Sequence, residues 1–310
     1  NEKRPIEINP LVKETVKLLR SSLPSTIEIR ETIDSSDGCI LGCPTQIHQV
    51  VMNLCTNAYH AMRMQGGVLG VTVSHTLPTP VDDTVPPALI DDGFVRLTIS
   101  DTGHGIDPSI KDRILEPYFT TKPAEEGTGL GLSVVHGIVK SHKGHLTFES
   151  EPEKGTTFHL FFPRIARSDA PVETGMVKQI RGGHETIWVL DDDAMIAHME
   201  KSMLAHFGYP VRVFTDSQSL WEAFQSSTNE VDLVVTDMTM PKMTGAELAE
   251  KIIGVRPDLP IVICSGFSET INDQKARAKG IREFIMKPVV MNDLAEAVRR
   301  LLDEKARPAS

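Results

Sequence analysis

From Ile187 onward the apolar residues fall into short runs that alternate strictly between two kinds. Ile187–Leu190, Val211–Phe214, Leu233–Thr236, Ile261–Cys264 and Glu283–Ile285 are compact runs with no regular polar alternation. Each is followed by a longer run with helical spacing: Ala194–Phe207, Ser217–Gln225, Ala246–Val255, Ile271–Ala278 and Met291–Leu302. A strand without a polar face has to be covered on both sides, which a parallel sheet achieves when helices lie over both faces. The pattern therefore predicts a doubly wound parallel sheet built from successive βα units. Such sheets hold ligands beyond the carboxyl ends of their strands, and acidic residues fall there: Asp191, Asp192 and Asp193 after the first strand, Asp237 after the third.

The chain before this region reads differently. Short β-like runs (Ile6–Ile8, Ile27–Thr32, Gly67–Ser74, Phe94–Ser100, His145–Glu149, Thr156–Phe162) interleave with helix-like runs (Leu11–Leu19, Thr45–Met62, Leu130–Ser141). That is a mixed α/β sandwich, with turn residues such as Glu151-Pro-Glu-Lys-Gly155 favouring antiparallel hairpins near its end. Between the two regions, residues 164–185 lose hydrophobic periodicity and gather Pro, Gly, Ser and charge, which is linker chemistry. A chain of 310 residues is long for one core and comfortable for two. The expected organisation is a domain over 1–163, a linker over 164–185, a second domain over 186–305 and a tail over 306–310. A Pro- and Asp-rich stretch from Leu77 through Pro87 reads as an exposed hairpin loop.

Composition narrows the function classes. A net charge of −10 and the lack of a basic stripe argue against a nucleic-acid surface. Four cysteines (Cys39, Cys43, Cys55, Cys264) are too few and too irregular for a disulfide framework, and the Cys39/Cys43 pair lacks the further ligands that tetrahedral zinc requires. They read as reduced thiols of a cytoplasmic protein. No apolar run reaches the roughly 18–20 residues that span a bilayer, so no membrane segment is expected, although the parent protein can be tethered through other regions.

Three features of the first region point to a nucleotide. Along Thr45–Met62, Gln46, Gln49, Asn53, Asn57 and His60 recur at helical spacing, opposite an inward stripe of Ile47, Val50, Val51 and Leu54. Asn is a poor helix former but its amide oxygen is a good ligand for a hard cation such as Mg2+. Phe94–Ser100 then runs into Asp101-Thr-Gly-His-Gly105, where a carboxylate sits before Gly103 and Gly105, residues that let a planar ring approach the backbone. Finally Gly127-Thr128-Gly129-Leu130-Gly131 leads into a helix whose free N-terminal amides suit phosphate oxygens. Each feature alone is also an ordinary surface stripe or turn.

Together, and in this order, they resemble the ATP-binding domain of sensor histidine kinases, within the wider gyrase, Hsp90 and MutL-type group. Gln46–Ala61 looks like the N box, Asp101–Gly105 the G1 box, Glu116-Pro-Tyr-Phe-Thr-Thr-Lys122 the F box and Gly127–Gly131 the G2 box. The resemblance implies that Asn57 holds the Mg2+ of ATP, that Asn53 and His60 lie beside the phosphates and that Asp101 reads adenine. Lys122 and the glycines Gly127, Gly129 and Gly131, with Thr128 and Leu130 between them, then form the lid. Hydrolases of the wider group carry a glutamate one turn before the metal-binding Asn. Here that place holds Asn53, and no Asp or Glu occurs from Thr45 to Met62. Water attack is expected to be slow, with His48 or His60 the only alternative bases.

The second region holds the complementary chemistry. Asp191 and Asp192 end one strand and Asp237 another. Carboxylates this close repel unless a cation or a lysine neutralises them, so Mg2+ is implied nearby. Ser265 and Lys287-Pro288 bring a hydroxyl and an ammonium to the same edge. These residues resemble the receiver domain of response regulators, with its flavodoxin-like (βα)5 fold. By that resemblance Asp237 takes phosphate from a phosphohistidine. Asp191, Asp192 and the Thr239 backbone carbonyl join it in holding Mg2+, Ser265 and Lys287 bind the phosphoryl oxygens, Phe284 stands at the aromatic switch, and Lys287-Pro288 is a cis peptide.

The combined expectation is a two-component phosphorelay enzyme, an ATP-dependent protein-histidine kinase of the hybrid sensor type. A competing expectation is a regulatory module whose ATP domain is inert. The dimerising hairpin with the phosphoacceptor histidine is not seen in this sequence, so the histidine is expected on another part of a homodimeric parent or on another protein, with a downstream phosphotransfer protein or response regulator as a further partner.

Overall fold

The computed structural model describes residues 3–34, 38–76, 93–121, 129–165, 180–265, 281–287 and 289–306. Its chain divides into two compact units, Asn1–Gly175 and Met176–Ser310. The stretch 77–87, most of 164–185, the helical run Ile271–Ala278, Lys122, Gly127, Thr128 and Pro288 lie outside the described residues.

The first unit is built on a mixed five-stranded sheet. Its elements are β1 (Arg4–Glu7), α1 (Ile8–Ser22), β2 (Ile27–Ile33), β3 (Cys39–Gly42), α2 (Pro44–Met62), β4 (Gly67–Thr76), β5 (Phe94–Asp101), α3 (Gly131–Ser141), β6 (His145–Glu151) and β7 (Gly155–Pro163). The sheet order is β2-β4-β5-β7-β6, with β2 parallel to β4 and every other neighbour antiparallel. Period-two alternation places Leu69, Val71 and Val73 of β4 and Leu97 and Ile99 of β5 in the core. α2 packs against both α1 and α3, and the three helices pack onto this sheet. β6 and β7 form the antiparallel hairpin that the Glu151–Gly155 turn signal predicts.

Two local readings shift. The first strand ends at Glu7 and the helix begins at Ile8 rather than Leu11. Pro10 is no obstacle, because first-turn amides have no intrahelical acceptor to lose. Cys39–Gly42, weighed in the sequence only for its thiol, is a strand paired antiparallel with β1. Arg164 and Ile165 also hydrogen bond back into this unit, to the carbonyls of Gly93 and Cys39.

The second unit contains β8 (Ile187–Leu190), α4 (Ala194–His206), β9 (Val211–Phe214), α5 (Ser217–Ser226), β10 (Leu233–Asp237), α6 (Gly245–Val255), β11 (Ile261–Ser265), β12 (Glu283–Met286) and α7 (Met291–Ala306). All strands are parallel, in the order β12-β11-β10-β8-β9. β8, β10 and β11 are buried at every position, as expected of strands covered on both faces. Short polar residues set the helix starts. Asp193 caps α4, Asp216 caps α5, and Thr244 with Glu247 forms a reciprocal capping box on α6. The strand order reverses at β8, flanked by β9 and β10, so the crevice of this sheet opens at the carboxyl ends of β8 and β10.

Candidate functional site

In the first unit, α2 and α3 bring the N-box asparagines to the last glycine of the glycine run. Asn53 Nδ2 donates to the Gly131 carbonyl at 3.4 Å. A Cβ built on Gly131 would lie 3.9 Å from Asn57 Nδ2 and 4.0 Å from Asn53. Both amides are half-buried on one face of α2, while Ile47, Val50, Val51 and Leu54 occupy the core. The start of α3 has no side-chain cap and no acidic residue in its first turn. Among the described residues nothing caps its leading amides, the groups that suit an anion at a helix start.

The G1 segment docks on the other end of α2. Asp101 is the last residue of β5; its Oδ1 accepts from the Gly103 amide at 2.8 Å. Burial raises its pKa above the ordinary carboxylate value, opposed by the Gly103 and Thr156 amides. Gly103 cannot be anything larger without movement, because a Cβ there would stand 2.6 Å from the Ala61 carbonyl and Cβ. The His104 amide donates to that same carbonyl at 3.2 Å. Gly105 takes a left-handed φ of 68°. Gly129, with φ 65°, lies against the F box: a Cβ would meet the Tyr118 carbonyl carbon at 2.5 Å. The segments read as N, G1, F and G2 boxes thus meet around α2 and the start of α3. Leu130 is the residue from which α3 starts, and His60 lies half-buried beside Tyr59.

The other histidine on α2 is elsewhere. His48 is buried, with Nδ1 2.9 Å from Thr15 Oγ1 on α1. Burial lowers its pKa to about 4. It is a neutral core group at the α1–α2 contact, not a base facing a nucleotide.

In the second unit the acidic residues converge. Carboxylate oxygens of Asp191, Asp192 and Asp237 lie within 4.8 Å of one another. Asp191 and Asp237 are buried and Asp192 is exposed. Lys287 Nζ sits 2.7 Å from Asp191 Oδ2 and 2.7 Å from Asp237 Oδ1. Backbone amides complete the cradle: Asp193 N donates to Asp191 Oδ1 at 2.9 Å, Met238 N to Asp237 Oδ1 at 2.8 Å. Burial is the main cause that pushes Asp237 up to about 7, against the attraction of Lys287. Burial also favours neutral Lys287, yet the surrounding carboxylates hold its pKa well above the ordinary lysine value. Three carboxylates against one ammonium leave an excess of hard oxygen donors and negative charge, which fits a divalent cation. Ser265 is buried at the end of β11, one position past Cys264, the register partner of Asp237; its carbonyl accepts from the Lys287 amide at 2.8 Å. Thr239 is exposed just beyond Asp237, and Phe284 is half-buried on β12.

One residue of this site went unnoticed in the sequence. Glu200 on α4 is 1% exposed. Burial, then the charge of Asp191, pushes its pKa up to about 8, and its side chain bonds to Cys264. Its Oε1 has no hydrogen-bond partner among the described residues. The signal was available: Glu200 shares a helical face with the buried Ala197, Met203 and Leu204.

The two units therefore offer different donor sets, the first neutral amides and glycine backbone around a helix start, the second a lysine-bridged acidic cradle. As a class, the folds and sites define an ATP-binding α/β sandwich joined to a receiver-type (βα)5 domain. Residues 42–166 match the family described as histidine kinase-, DNA gyrase B-, and HSP90-like ATPase, and residues 187–299 match the response regulator receiver domain. The chain thus carries a domain of the first family followed by a domain of the second. Sensor kinase CckA of Brucella abortus (strain 2308) is 31% identical over 268 residues, 84% of this chain and 28% of that protein. Sensor protein EvgS of Escherichia coli (strain K12) is 28% identical over 265 residues, 83% of this chain and 21% of that protein. The solved receiver domain protein from Clostridium thermocellum is 30% identical and covers 39% of this chain and 97% of its own, with a TM-score of 0.38. The chain spans less than a third of the length of the two sensor proteins. No described helix is long and apolar enough to cross a membrane.

Proposed function

We propose that this chain carries the ATP-binding and receiver portions of a hybrid sensor histidine kinase. ATP binds residues 1–163, its γ-phosphoryl group passes to a histidine on a phosphoacceptor domain, and Asp237 within 186–305 receives it, with 164–185 as the connecting linker. The observation that carries the reading is the Lys287 bridge between Asp191 and Asp237, with both carboxylates at 2.7 Å. A structural ion pair needs only one carboxylate. A buried pair sharing one ammonium with a third acid at the rim suits a site awaiting further positive charge and then a phosphoryl group.

In the transfer step, Asp237 Oδ1 is engaged by Lys287 and the Met238 amide, which leaves Oδ2 to bond phosphorus. The P–N bond to imidazole breaks as the P–O bond forms, giving an acyl phosphate, and the imidazole retains the electron pair and takes up a proton. Lys287 and Ser265 then face the phosphoryl oxygens. Mg2+ held by Asp191, Asp192, Asp237 and the Thr239 carbonyl would supply charge neutralisation.

In the ATP half, Asn57 would hold the Mg2+ of ATP, Asn53 and His60 would flank the phosphates, Asp101 would accept from the adenine amine, and Gly103, Gly105, Lys122, Gly127, Thr128, Gly129, Leu130 and Gly131 would enclose the nucleotide. Asn53 in place of a carboxylate, with His48 turned into the core, supports transfer to protein over hydrolysis. The partners are a phosphoacceptor-histidine domain, from a homodimeric parent or a separate protein, and a downstream phosphotransfer protein or response regulator. The need for ATP supports a cytoplasmic setting.

Calorimetric titration with ATP·Mg2+ tests the first half. Wild type is expected to bind and Asn57→Ala to bind far more weakly; equal weak binding by both would overturn it.

A further inference from the structure

The helices that carry Asn53 and Asn57 up to Gly131 are fastened together at their far ends by a histidine with no part in the scheme above. His142, at the C-terminus of α3, is 5% exposed. Its Nδ1 lies 2.8 Å from the Ile138 carbonyl and 3.1 Å from Ser141 Oγ. Its Nε2 lies 3.1 Å from the backbone nitrogen of Cys43, the residue that opens α2. Cys43 offers α2 no side-chain cap of its own. A carbonyl can only accept and an amide N–H can only donate. The ring must therefore carry its proton on Nδ1 and a lone pair on Nε2, so the neutral imidazole alone satisfies both partners.

The surroundings are shaped to this ring. A Cβ on Gly42 would come within 3.0 Å of His142 Cδ2, and Phe162 of β7 meets the ring edge-on at 6.2 Å. α2 begins where α3 ends, so the pair is pinned at two separated points, Cys43–His142 and Asn53–Gly131. One pin leaves a pivot; two fix the angle.

We propose that His142 is a positioning residue for the nucleotide site. Its bond to the Cys43 amide sets the angle between α2 and α3, and with it the placement of Asn53 and Asn57 against the leading amides of α3. Protonation of Nε2 releases that bond and lowers nucleotide affinity. The inference rests on the reading of the first unit as an ATP site. The charged and titratable groups around the ring are Lys3, whose Nζ donates to the Ser141 carbonyl, the Cys43 thiol, and Lys140 and Lys143 on either side in sequence. None of these is a carboxylate that would favour the imidazolium. Burial draws the His142 pKa below the ordinary histidine value, opposed by the Ile138 carbonyl and assisted by Lys3. The clamp is thus closed at neutral pH and opens as pH falls below the histidine range.

The test is calorimetric titration of the whole chain with ADP·Mg2+ from about pH 8 to about pH 5, comparing wild type, His142→Gln and Asn57→Ala. A glutamine amide oxygen can still accept from Cys43 but does not titrate. Wild type is expected to lose roughly tenfold more affinity than His142→Gln across that range, while the two bind alike at about pH 8. Coincident acid profiles overturn the proposal, because Asp101 and the nucleotide phosphates titrate equally in both. Should His142→Gln fail to fold, imidazole NMR shifts of wild type decide the matter. Reciprocal linkage requires ADP·Mg2+ to lower the His142 pKa by roughly one unit, and an unchanged pKa overturns the clamp. Asn57→Ala binding as well as wild type would instead remove the ATP reading, and the inference with it.

Discussion

Two buried histidines of the first unit and a buried glutamate of the second link folding to pH in opposite directions. In the first, burial lowers the pKa of His48 and, against the pull of the Ile138 carbonyl, that of His142, so the folded state binds protons less readily than the unfolded chain. Their contribution to stability is present above the ordinary histidine pKa and is lost as pH falls through the folded-state values. In the second, Glu200 has a raised pKa, so the folded state holds its proton more tightly than the unfolded chain. That contribution is present below the ordinary glutamate pKa and is lost as pH rises through about 8. The contrast lies in what each unit buries: imidazoles between helices in the first, a carboxyl beside packed carboxylates in the second. A nucleotide site can be made from neutral amides and backbone around a helix start. An acyl-phosphate site needs packed carboxylates, and Glu200 beneath them meets their field.

The comparison is most sharply exposed at Asp237. Asp237→Asn removes the nucleophile, and chemical phosphorylation with acetyl phosphate is expected to give no acyl phosphate at all, whereas substitutions in the first unit leave that reaction intact. Intact protein mass spectrometry checks this, and equal phosphate uptake by Asp237→Asn would move the acceptor elsewhere.

Glu200→Gln comes next. With a folded pKa near 8 against an unfolded value of 4.5, the wild-type penalty grows by on the order of 3–5 kcal/mol between those pH values. Both tryptophans, Trp188 and Trp221, lie in the second unit, so tryptophan fluorescence during urea unfolding reads that unit alone. The variant is expected to gain on wild type as pH rises; parallel curves would contradict the buried-acid account.

His48→Gln is the mirror experiment. A pKa lowered from 6.5 to about 4 corresponds to about 3 kcal/mol lost by wild type as pH falls across that interval. Hydrogen exchange of α2 amides, compared at neutral and acid pH, is expected to show a smaller acid effect in the variant.

The smallest effect is expected from Thr244→Ala, which removes one arm of the α6 capping box, worth about 1 kcal/mol. It is expected to lower the urea midpoint of the second unit without changing phosphate uptake. Altered uptake would mean that the segment after Asp237 does more than start a helix.

Much of this was legible in the chain, for reasons that differ by element. The (βα)5 unit announces itself because strands buried on both faces cannot alternate, so β8, β10 and β11 read as unbroken apolar runs. The mixed sheet of the first unit was legible only as strands and helices. Its order, with β2 parallel to β4 across α2, depends on packing that no local pattern encodes. β3 was missed because so short a stretch, beside two cysteines, carries more chemical than structural signal. Asn53, Asn57, Gly103 and Gly129 could be named in advance only from their order along the chain, since each feature alone also fits a surface stripe or turn. Glu200 could not be read from chemistry alone; only its intrusion on the apolar face of α4 betrays it. The role of His142 needs two helices side by side, and nothing in the sequence sets Cys43 against it.

The central claim is that phosphate enters through the first unit and rests on the second. Its most direct measurement incubates the chain with a phosphoacceptor-histidine hairpin and γ-radiolabelled ATP·Mg2+, and follows the label on both proteins. The account predicts acid-labile label on the hairpin that depends on Asn57, followed by label on this chain that disappears in Asp237→Asn. Label reaching the chain in Asp237→Asn, or reaching the hairpin in Asn57→Ala as fast as in wild type, would contradict it.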